Sequence, residues 1–401
     1  MSSSLNNPGR RTLLAAALGS AFLAACGGGG GSTAVSGRSA QDAASDAVGA
    51  GLVGAYFEHL TSTTRFSGVS GLRRLAPSAA LTGEELMAIG SNTKAMTAMV
   101  AARLIERGVL RWDTRIVEAL PGIASTMLPA YREVTLENLL AHRGGILAFN
   151  GSDPDHEELV FLAFVAGYQA ELPTTETTRR LFFVDWLMTQ EPPANVIPGQ
   201  TFLYSNAGFA LAAAMLEAAT GKTFEKLFDE DLQQPLGIDG VWGLPEQVSE
   251  NQPRGYAGAN KAQLAPVPLL AADEQVWQDV LRPAGATFSL TPQMYSRWAR
   301  WHLVALQGGA TPLPSGYIAR IRALNQGEYA VGWAGGLVVN GRKRITHTGS
   351  IGGFNALVEI YLDGGEAAFG LTNTSSADPA SDWVIEEVKR GLLSMRAYYV
   401  G

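Results

Sequence analysis

The stretch Gly90-Ser91-Asn92-Thr93-Lys94 opens a long run of alanine, methionine and valine that ends near Arg107, and Gly108 follows as a helix stop signal. The run predicts a buried helix over residues 91–107, which constrains how the rest of the chain can pack. A lysine in such a helix is costly unless it is paired or functional. Of the six lysines in the chain, Lys94 alone follows a serine by three residues.

Ser91 and Lys94 would lie on one face of this helix, one turn apart, so their side chains can meet. The first turn of a helix has unpaired N–H groups and the positive end of the helix dipole, and both stabilise a developing oxyanion. The pattern therefore predicts a serine nucleophile with a lysine partner, suited to acyl transfer. A solvated lysine at a helix start is the alternative.

The first 25 residues have the pattern of an export signal, with Arg10-Arg11 before an apolar run that is too short to cross a bilayer. The run ends in Leu23-Ala24-Ala25-Cys26-Gly27, which resembles the bacterial lipoprotein box, so we expect Cys26 to be lipidated. An ordinary signal peptide with an incidental cysteine is the alternative, and Sec and twin-arginine export both stay open. Cys26 is the only cysteine, which excludes disulfides.

Glycine, serine and alanine dominate the segment after Cys26, which predicts a flexible tether with a reach of roughly 20 Å. The predicted organisation is a signal peptide at 1–25, a lipidated cysteine and tether at 26–47, and one domain at 48–401. A lipid anchor makes the membrane a partner and predicts a bacterial envelope protein, on the periplasmic side. The chain has a net charge of −7. Residues 1–25 contain Arg10 and Arg11 and no acidic residue, so the chain without them has a net charge of −9 (−7 − 2). Such a negative chain is not expected to bind nucleic acid.

The hydrophobic pattern changes period along the chain, from strands to helices and back to strands. The predicted elements are strands at 51–60 and 63–72, helices at 91–107, after Thr135, at 207–219 and at 224–232, strands at 329–340, 342–347, 356–362 and 367–373, and a last helix from Asp382 to Met395. Residues 147–200 favour helix and loop. The fold class is therefore α/β (α+β), with one antiparallel sheet built from both chain ends, flanking helices and an inserted, mainly helical subdomain.

Two further stretches carry side chains that could complete the site. Tyr204-Ser205-Asn206 follows a Pro-Gly turn and precedes a helix, and His347-Thr348-Gly349-Ser350 ends a predicted strand. A serine hydroxyl needs a base to take its proton, and a neutral lysine or a phenolate can do so.

These three sites, in this order and spacing, resemble the serine β-lactamase-like family, which includes class C β-lactamases, D-alanyl-D-alanine carboxypeptidases and related esterases. Shorter segments extend the resemblance over nearly all of residues 50–375: 108–113, 134–142, 235–237, Pro283-Ala284-Gly285 and 371–373. The resemblance implies a β-lactamase/transpeptidase-like fold and a small-molecule or peptide substrate. We expect no cofactor and no metal, and the oligomeric state is not predicted.

The resemblance also implies a role for each site residue. Ser91 would be acylated, with Lys94 and Tyr204 as the other catalytic residues that activate it and shuttle protons. Asn206, His347, Thr348 and Gly349 would bind substrate. The backbone N–H groups of Ser91 and Ser350 would form the oxyanion hole.

The chain departs from the family pattern at His347, where many relatives have lysine. An imidazole binds a carboxylate less firmly than an ammonium group does, which favours an esterase or peptidase over a dedicated β-lactamase. A second departure is Arg143-Gly144-Gly145 after His142, where relatives usually have Thr-Ser-Gly. Residues 147–190 match no family motif.

Simpler interpretations exist for several of these residues. Tyr204 could be a core tyrosine and His347 a histidine at a strand end, and we expect His142 to be buried and structural. Residues 153–158 could bind a metal through Asp153, Asp155, His156, Glu157 and Glu158, but a surface loop is favoured. A Ser-His-Asp triad that uses His347 is a minor alternative, because no serine in the sequence lies in a G-x-S-x-G motif. The predicted function is a serine hydrolase acting through an acyl-enzyme, and the alternative is a non-catalytic envelope protein that binds peptidoglycan or a partner.

Overall fold

The computed structural model describes residues 36–150, 157–168, 170–339, 341–378 and 382–401. The signal segment, Cys26, Asp153, Asp155 and His156 lie outside these ranges, so the expectations for them stay predictions. The described strands are β1 Gly54–Leu60, β2 Arg65–Arg74, β3 Ala79–Ala80, β4 Met87–Ala88, β5 Gly240–Trp242, β6 Tyr256–Gly258, β7 Ala265–Pro266, β8 Phe288–Leu290, β9 Tyr329–Ala330, β10 Trp333–Val339, β11 Arg342–Ile351, β12 Phe354–Tyr361, β13 Ala367–Thr372 and β14 Thr374–Ser376.

An eight-stranded antiparallel sheet forms the frame, in the order β3-β2-β1-β13-β12-β11-β10-β9. The first strand pairs directly with a strand near the C-terminus, with Phe57 opposite Gly370. The prediction that both chain ends build one sheet is therefore confirmed. Two small three-stranded sheets, β4-β8-β5 and β14-β6-β7, complete the strands.

The described helices cover both faces of the large sheet. They are α1 Ala40–Ala50, α2 Thr93–Glu106, α3 Ile116–Ala119, α4 Leu136–Leu140, α5 Glu157–Gly167, α6 Glu176–Met188, α7 Asn206–Thr220, α8 Phe224–Phe228, α9 Gln234–Leu236, α10 Pro245–Val248, α11 Ala272–Gln278, α12 Pro292–Leu306, α13 Ser315–Ala323 and α14 Trp383–Tyr399. The segment between β4 and β8 is mainly helical, as predicted. Within the described ranges, no helix is both long enough and apolar enough to span a bilayer.

Helix α1 corrects the predicted tether, which was placed at residues 26–47. Ser39 caps the helix by accepting a hydrogen bond from the backbone N–H of Asp42, and Ala40, Ala43, Ala44 and Ala47 are buried. These alanines pack with Phe57 of β1 and Val388 of α14 in a core cluster of their own. Their small side chains, which resemble linker composition, let the helix lie close to the sheet, so the domain begins before residue 48.

Helix α2 runs through the main core, on the opposite face of the sheet from α1. Its residues from Thr93 to Ala102 are all buried, as the alanine-rich pattern predicts. A 3₁₀ turn, Gly90–Asn92, joins it to β4, so the predicted helix over 91–107 begins with a tighter turn. That turn places Ser91 at the N-terminus of α2.

Candidate active site

The turn that carries Ser91 depends on Gly90. Its φ is 50°, in the left-handed region that favours glycine. A Cβ built on Gly90 would lie 2.7 Å from the backbone nitrogen of Ser350, so only glycine lets β11 approach this closely. The Thr93 hydroxyl donates to the Gly90 carbonyl at 2.8 Å and fixes the turn.

Lys94 is fully buried beside Ser91, and its Nζ atom lies 3.0 Å from the Ser91 Oγ atom. Nζ also lies 2.7 Å from Oδ1 of Asn206 and 2.6 Å from the carbonyl oxygen of Ala284. Lys94 makes no ion pair with any described residue. Burial without a counter-charge lowers the pKa of Lys94 well below its usual value, which favours the neutral amine.

The three contacts of Lys94 suit a neutral amine with two N–H groups and one lone pair. The Asn206 amide donates from Nδ2 to the Phe149 carbonyl at 2.7 Å, which turns Oδ1 toward Lys94 as an acceptor. The Ala284 carbonyl is likewise only an acceptor. Both N–H groups are then used, and the lone pair faces the Ser91 hydroxyl, in position to receive its proton.

Tyr204 covers Lys94, with Nζ 4.7 Å from the centre of the ring. Burial raises the pKa of Tyr204, and a hydrogen bond with Ser91 lowers it by less. The phenol is therefore protonated at neutral pH. The sequence left open whether a neutral lysine or a phenolate takes the proton of Ser91. The geometry favours Lys94 as the proton acceptor, and Tyr204 then contacts Ser91 through a protonated hydroxyl.

His142 positions the Tyr204 segment, and the expectation that it is buried and hydrogen-bonded is confirmed. Its Nδ1 accepts a hydrogen bond from the backbone N–H of Ser205 at 3.1 Å. Its ring lies between Tyr204 and Tyr329, at 4.2 Å and 4.5 Å between centres. Ser205 then caps α7 by accepting from the N–H of Gly208, which holds Asn206 at the first turn.

Strand β11 brings the third predicted stretch to Ser91. Its pairing with β10 ends where Thr346 lies opposite Ala334, so residues 347–351 continue past β10 while they remain paired with β12 on the other side. This part of β11 packs on the turn before α2, since a Cβ on Gly349 would lie 2.0 Å from the Ile89 carbonyl oxygen. The backbones of Ser91 and Ser350, the two expected oxyanion donors, are thereby brought together.

His347 is almost fully buried in this part of β11, and its two ring nitrogens have different partners. Nδ1 lies 2.5 Å from the Thr348 carbonyl oxygen, and Nε2 lies 2.9 Å from the Tyr329 hydroxyl. A carbonyl only accepts, so Nδ1 carries the proton and Nε2 accepts from Tyr329. Burial lowers the pKa of His347 to about 3, so the ring is neutral.

Three groups around these residues were not predicted from the sequence: the carbonyls of Ala284 and Phe149, and the Tyr329 hydroxyl. Pro283-Ala284-Gly285 was a signal for the first, because Gly285 has a φ of 107° and a Cβ there would lie 2.1 Å from the Gly90 carbonyl oxygen. Glu157, a candidate metal ligand, instead accepts hydrogen bonds from the backbone N–H groups of Ala148 and Phe149. It thus holds the loop that carries the Phe149 carbonyl.

The fold and this cluster of serine, lysine and tyrosine define the class of serine hydrolases that react through an acyl-enzyme. The Beta-lactamase family model matches residues 35–387, and the chain belongs to that family. The resemblance and the fold class predicted from sequence are confirmed, and the protein is a serine hydrolase of the β-lactamase-related family.

Individual relatives are distant. The chain is 26% identical to "Penicillin-binding protein 4" of Amycolatopsis lactamdurans, over 76% of this chain and 76% of that protein. It is also 26% identical to "Unguisins hydrolase ungD'" of Aspergillus campestris, over 76% of this chain but 55% of that protein. A class C β-lactamase structure from Rhodobacter sphaeroides shares the fold, with a TM-score of 0.65 and 18% identity over 88% of this chain and 98% of that one.

Proposed function

We propose that the protein hydrolyses an ester or amide in the bacterial cell envelope through an acyl-enzyme on Ser91. The observation that carries this proposal is the buried Lys94 amine 3.0 Å from the Ser91 hydroxyl, with its other two hydrogen bonds made to acceptors. A neutral amine in this position takes the hydroxyl proton as the oxygen attacks.

The reaction begins when Oγ of Ser91 bonds to the substrate carbonyl carbon and its proton moves to Lys94. The backbone N–H groups of Ser91 and Ser350 stabilise the oxyanion, and one such donor is worth about 3 kcal/mol. As the intermediate collapses, the bond to the leaving group breaks, and that group receives the proton through the Tyr204 hydroxyl. Water then repeats the sequence on the acyl-enzyme, which releases the acid and restores the Ser91 hydroxyl.

Asn206, His347, Thr348 and Gly349 form the substrate-binding side in this proposal. Asn206 orients both Lys94 and a substrate amide, and the part of β11 beyond its pairing with β10 would contact an extended acyl chain in the manner of a neighbouring strand. Esters and D-amino-acid peptides fit beside this part of β11. Turnover of β-lactams is expected to be weak, because His347 supplies no ammonium group.

The main test uses a fluorophosphonate probe, which reacts with activated serines. We expect intact-mass spectrometry to show one adduct, mapped to Ser91, and Ser91→Ala to lose both the adduct and hydrolysis of p-nitrophenyl esters. A folded Ser91→Ala variant that still turns over the esters would rule out this mechanism. A folded wild-type protein with neither adduct nor turnover would support the peptidoglycan- or partner-binding alternative.

Membrane attachment through Cys26 is a second part of the proposal, supported by the lipoprotein box and by similarity to a penicillin-binding protein. The full-length chain made in a bacterium should enter the detergent phase in Triton X-114 partitioning, and Cys26→Ser should move it to the aqueous phase. A wild-type chain found in the aqueous phase would show that Cys26 bears no lipid.

A further inference from the structure

We propose that Tyr295 is a positioning residue for the oxyanion hole and acts through the side chain of Asn92, the residue after the nucleophile. Neither side chain touches the substrate. The inference rests on the proposed function, in which the backbone N–H groups of Ser91 and Ser350 stabilise the oxyanion. The spacing of these two donors then depends on a hydrogen bond from a distant helix.

The Asn92 side chain lies in the turn that carries Ser91, and only 2% of the residue is exposed. Its Nδ2 atom donates to the Ile89 carbonyl oxygen at 3.2 Å, and that carbonyl also accepts from the backbone N–H of Asn92 at 3.2 Å. Because a carbonyl only accepts, this contact determines which end of the amide is the donor. The Oδ1 atom therefore faces away from Ile89 and needs a donor on its other side.

The Tyr295 hydroxyl, from α12, is that donor. It lies 3.0 Å from Oδ1 of Asn92, and it donates because an amide oxygen can only accept. Tyr295 is fully buried, and its ring packs edge-on against Phe369 of β13, with 5.0 Å between the ring centres. The core of the large sheet thereby fixes the position of the hydroxyl, and removing it would cost the buried Oδ1 atom this partner.

The same amide group supports the backbone of β11. A Cβ built on Gly349 would lie 2.0 Å from the Ile89 carbonyl oxygen and 2.8 Å from Nδ2 of Asn92, so the strand contacts both groups directly. Ser350 follows Gly349 in the strand, and Ser91 precedes Asn92 in the turn. Asn92 thus lies between the two segments that carry the oxyanion donors, and a movement of its side chain changes the distance between them.

The distance between the two donors matters more in the transition state than in the bound substrate. An oxyanion hole is effective when both N–H groups reach the same oxygen, at about 2.7–3.1 Å from each. The full negative charge on that oxygen exists only in the transition state, so a displaced donor weakens transition-state binding more than substrate binding. Loss of the hydrogen bond between Tyr295 and Asn92 should therefore lower kcat with little change in KM.

Tyr295→Phe removes the hydroxyl and keeps the ring. With 4-nitrophenyl butanoate, we expect kcat to fall by about fivefold or more and KM to stay within about twofold of wild type. Tyr317→Phe is the matched control, because Tyr317 of α13 is also fully buried and its hydroxyl accepts from Nε1 of Trp333 at 2.6 Å. The control should keep kcat within about twofold, with urea unfolding to show that both variants are folded. Equal losses of kcat in the two variants would reject a specific role of Tyr295.

A second measurement is specific to the oxyanion. The matching thionoester has sulfur in place of the carbonyl oxygen, and sulfur accepts hydrogen bonds weakly, so it gains less from the two donors. The ratio of kcat/KM between the ester and the thionoester should fall by about threefold or more in Tyr295→Phe and stay within about twofold in Tyr317→Phe. An unchanged ratio in Tyr295→Phe would overturn the inference.

Asn92→Ala tests whether Tyr295 acts through Asn92. By itself it should lower the ratio between ester and thionoester at least as much as Tyr295→Phe does. In the Asn92→Ala background the hydroxyl has no amide to hold, so adding Tyr295→Phe should change kcat by less than about twofold. A further loss as large as the one in the wild-type background would reject the route through Asn92.

The fluorophosphonate adduct distinguishes failure of this inference from failure of the proposed function. A wild type that takes the probe at Ser91 and hydrolyses the ester, with no effect of Tyr295→Phe, would reject only the positioning role. A folded wild type with neither adduct nor ester turnover would reject the proposed function, and the positioning role with it.

Discussion

At the scale of single residues, Lys94 shows how burial can determine the protonation state of a side chain. Its contact with Ser91 is local, three residues apart on one helix, so the sequence was enough to predict it. Its contact with Asn206 joins residues 112 apart, so no local pattern predicts it, and the family resemblance only placed Asn206 in the same site. The Ala284 carbonyl could not be predicted from side-chain identity at all, because every residue has such a group.

Lys94→Met tests the state of the amine through stability. The folded pKa of Lys94 lies well below the usual 10.5, so between those two values the unfolded chain binds a proton that the folded chain does not. The stability of the wild type therefore rises with pH in that window, by up to about 1.4 kcal/mol per unit, and that of the variant lacks this contribution.

The measurement is urea unfolding of both proteins between about pH 7 and pH 9.5. The difference in unfolding free energy, variant minus wild type, should decrease as pH rises. Lost hydrogen bonds to Asn206 and Ala284 shift this difference by a constant, so only its slope is diagnostic. A difference independent of pH would mean that Lys94 is charged in the folded protein.

At the scale of elements, α1 was missed and the β1–β2 pair was predicted, for opposite reasons. Residues 51–60 and 63–72 mix aromatic, β-branched and apolar side chains with glycines, a strand pattern that the sequence displays directly. The buried side of α1 is made of alanines alone, and their composition equally suits a flexible tether. The close contact of α1 with β2 distinguishes the helix from a tether, since a Cβ built on Gly68 of β2 would lie 2.3 Å from the Ala40 carbonyl.

Gly68→Ala should therefore destabilise the protein by about 1–3 kcal/mol, because the added methyl group pushes α1 off the sheet. Gly49→Ala is the matched control within α1, where a Cβ meets nothing within 4 Å. It should be neutral or stabilising by up to about 1 kcal/mol, since alanine favours helix. Chemical unfolding measures both, and equal effects of the two substitutions would contradict the close approach of α1.

At the scale of the whole molecule, buried ion pairs join the helical subdomain to the segment that carries Ala284. Arg180 of α6 is fully buried, pairs with Glu217 of α7 and donates to the Val280 carbonyl. Arg282 of that segment pairs with Glu225 of α8 and with Asp279 beside it. The sequence predicted a helical subdomain from its periodicity, but not this network, because the partners lie on different helices.

Glu217→Gln should cost about 3 kcal/mol or more, since it leaves the Arg180 guanidinium buried with less compensation. Glu230→Gln removes a partner of Lys222 in a pair that is partly exposed, and it should change stability much less than Glu217→Gln does. Both variants keep the side-chain shape, so urea unfolding compares burial alone. Similar losses in the two would contradict the buried network.

The pairing of β1 with β13 has a consequence for the making of the protein. The Thr372 hydroxyl donates to the Gly54 carbonyl across 318 residues, so this contact closes only after the ribosome has synthesised nearly the whole chain. Contacts between such distant residues form slowly because a long loop must close first. Until β13 has been made, the β1–β2 hairpin lacks this neighbour, and its exposed strand edge makes the growing chain prone to aggregation during that interval.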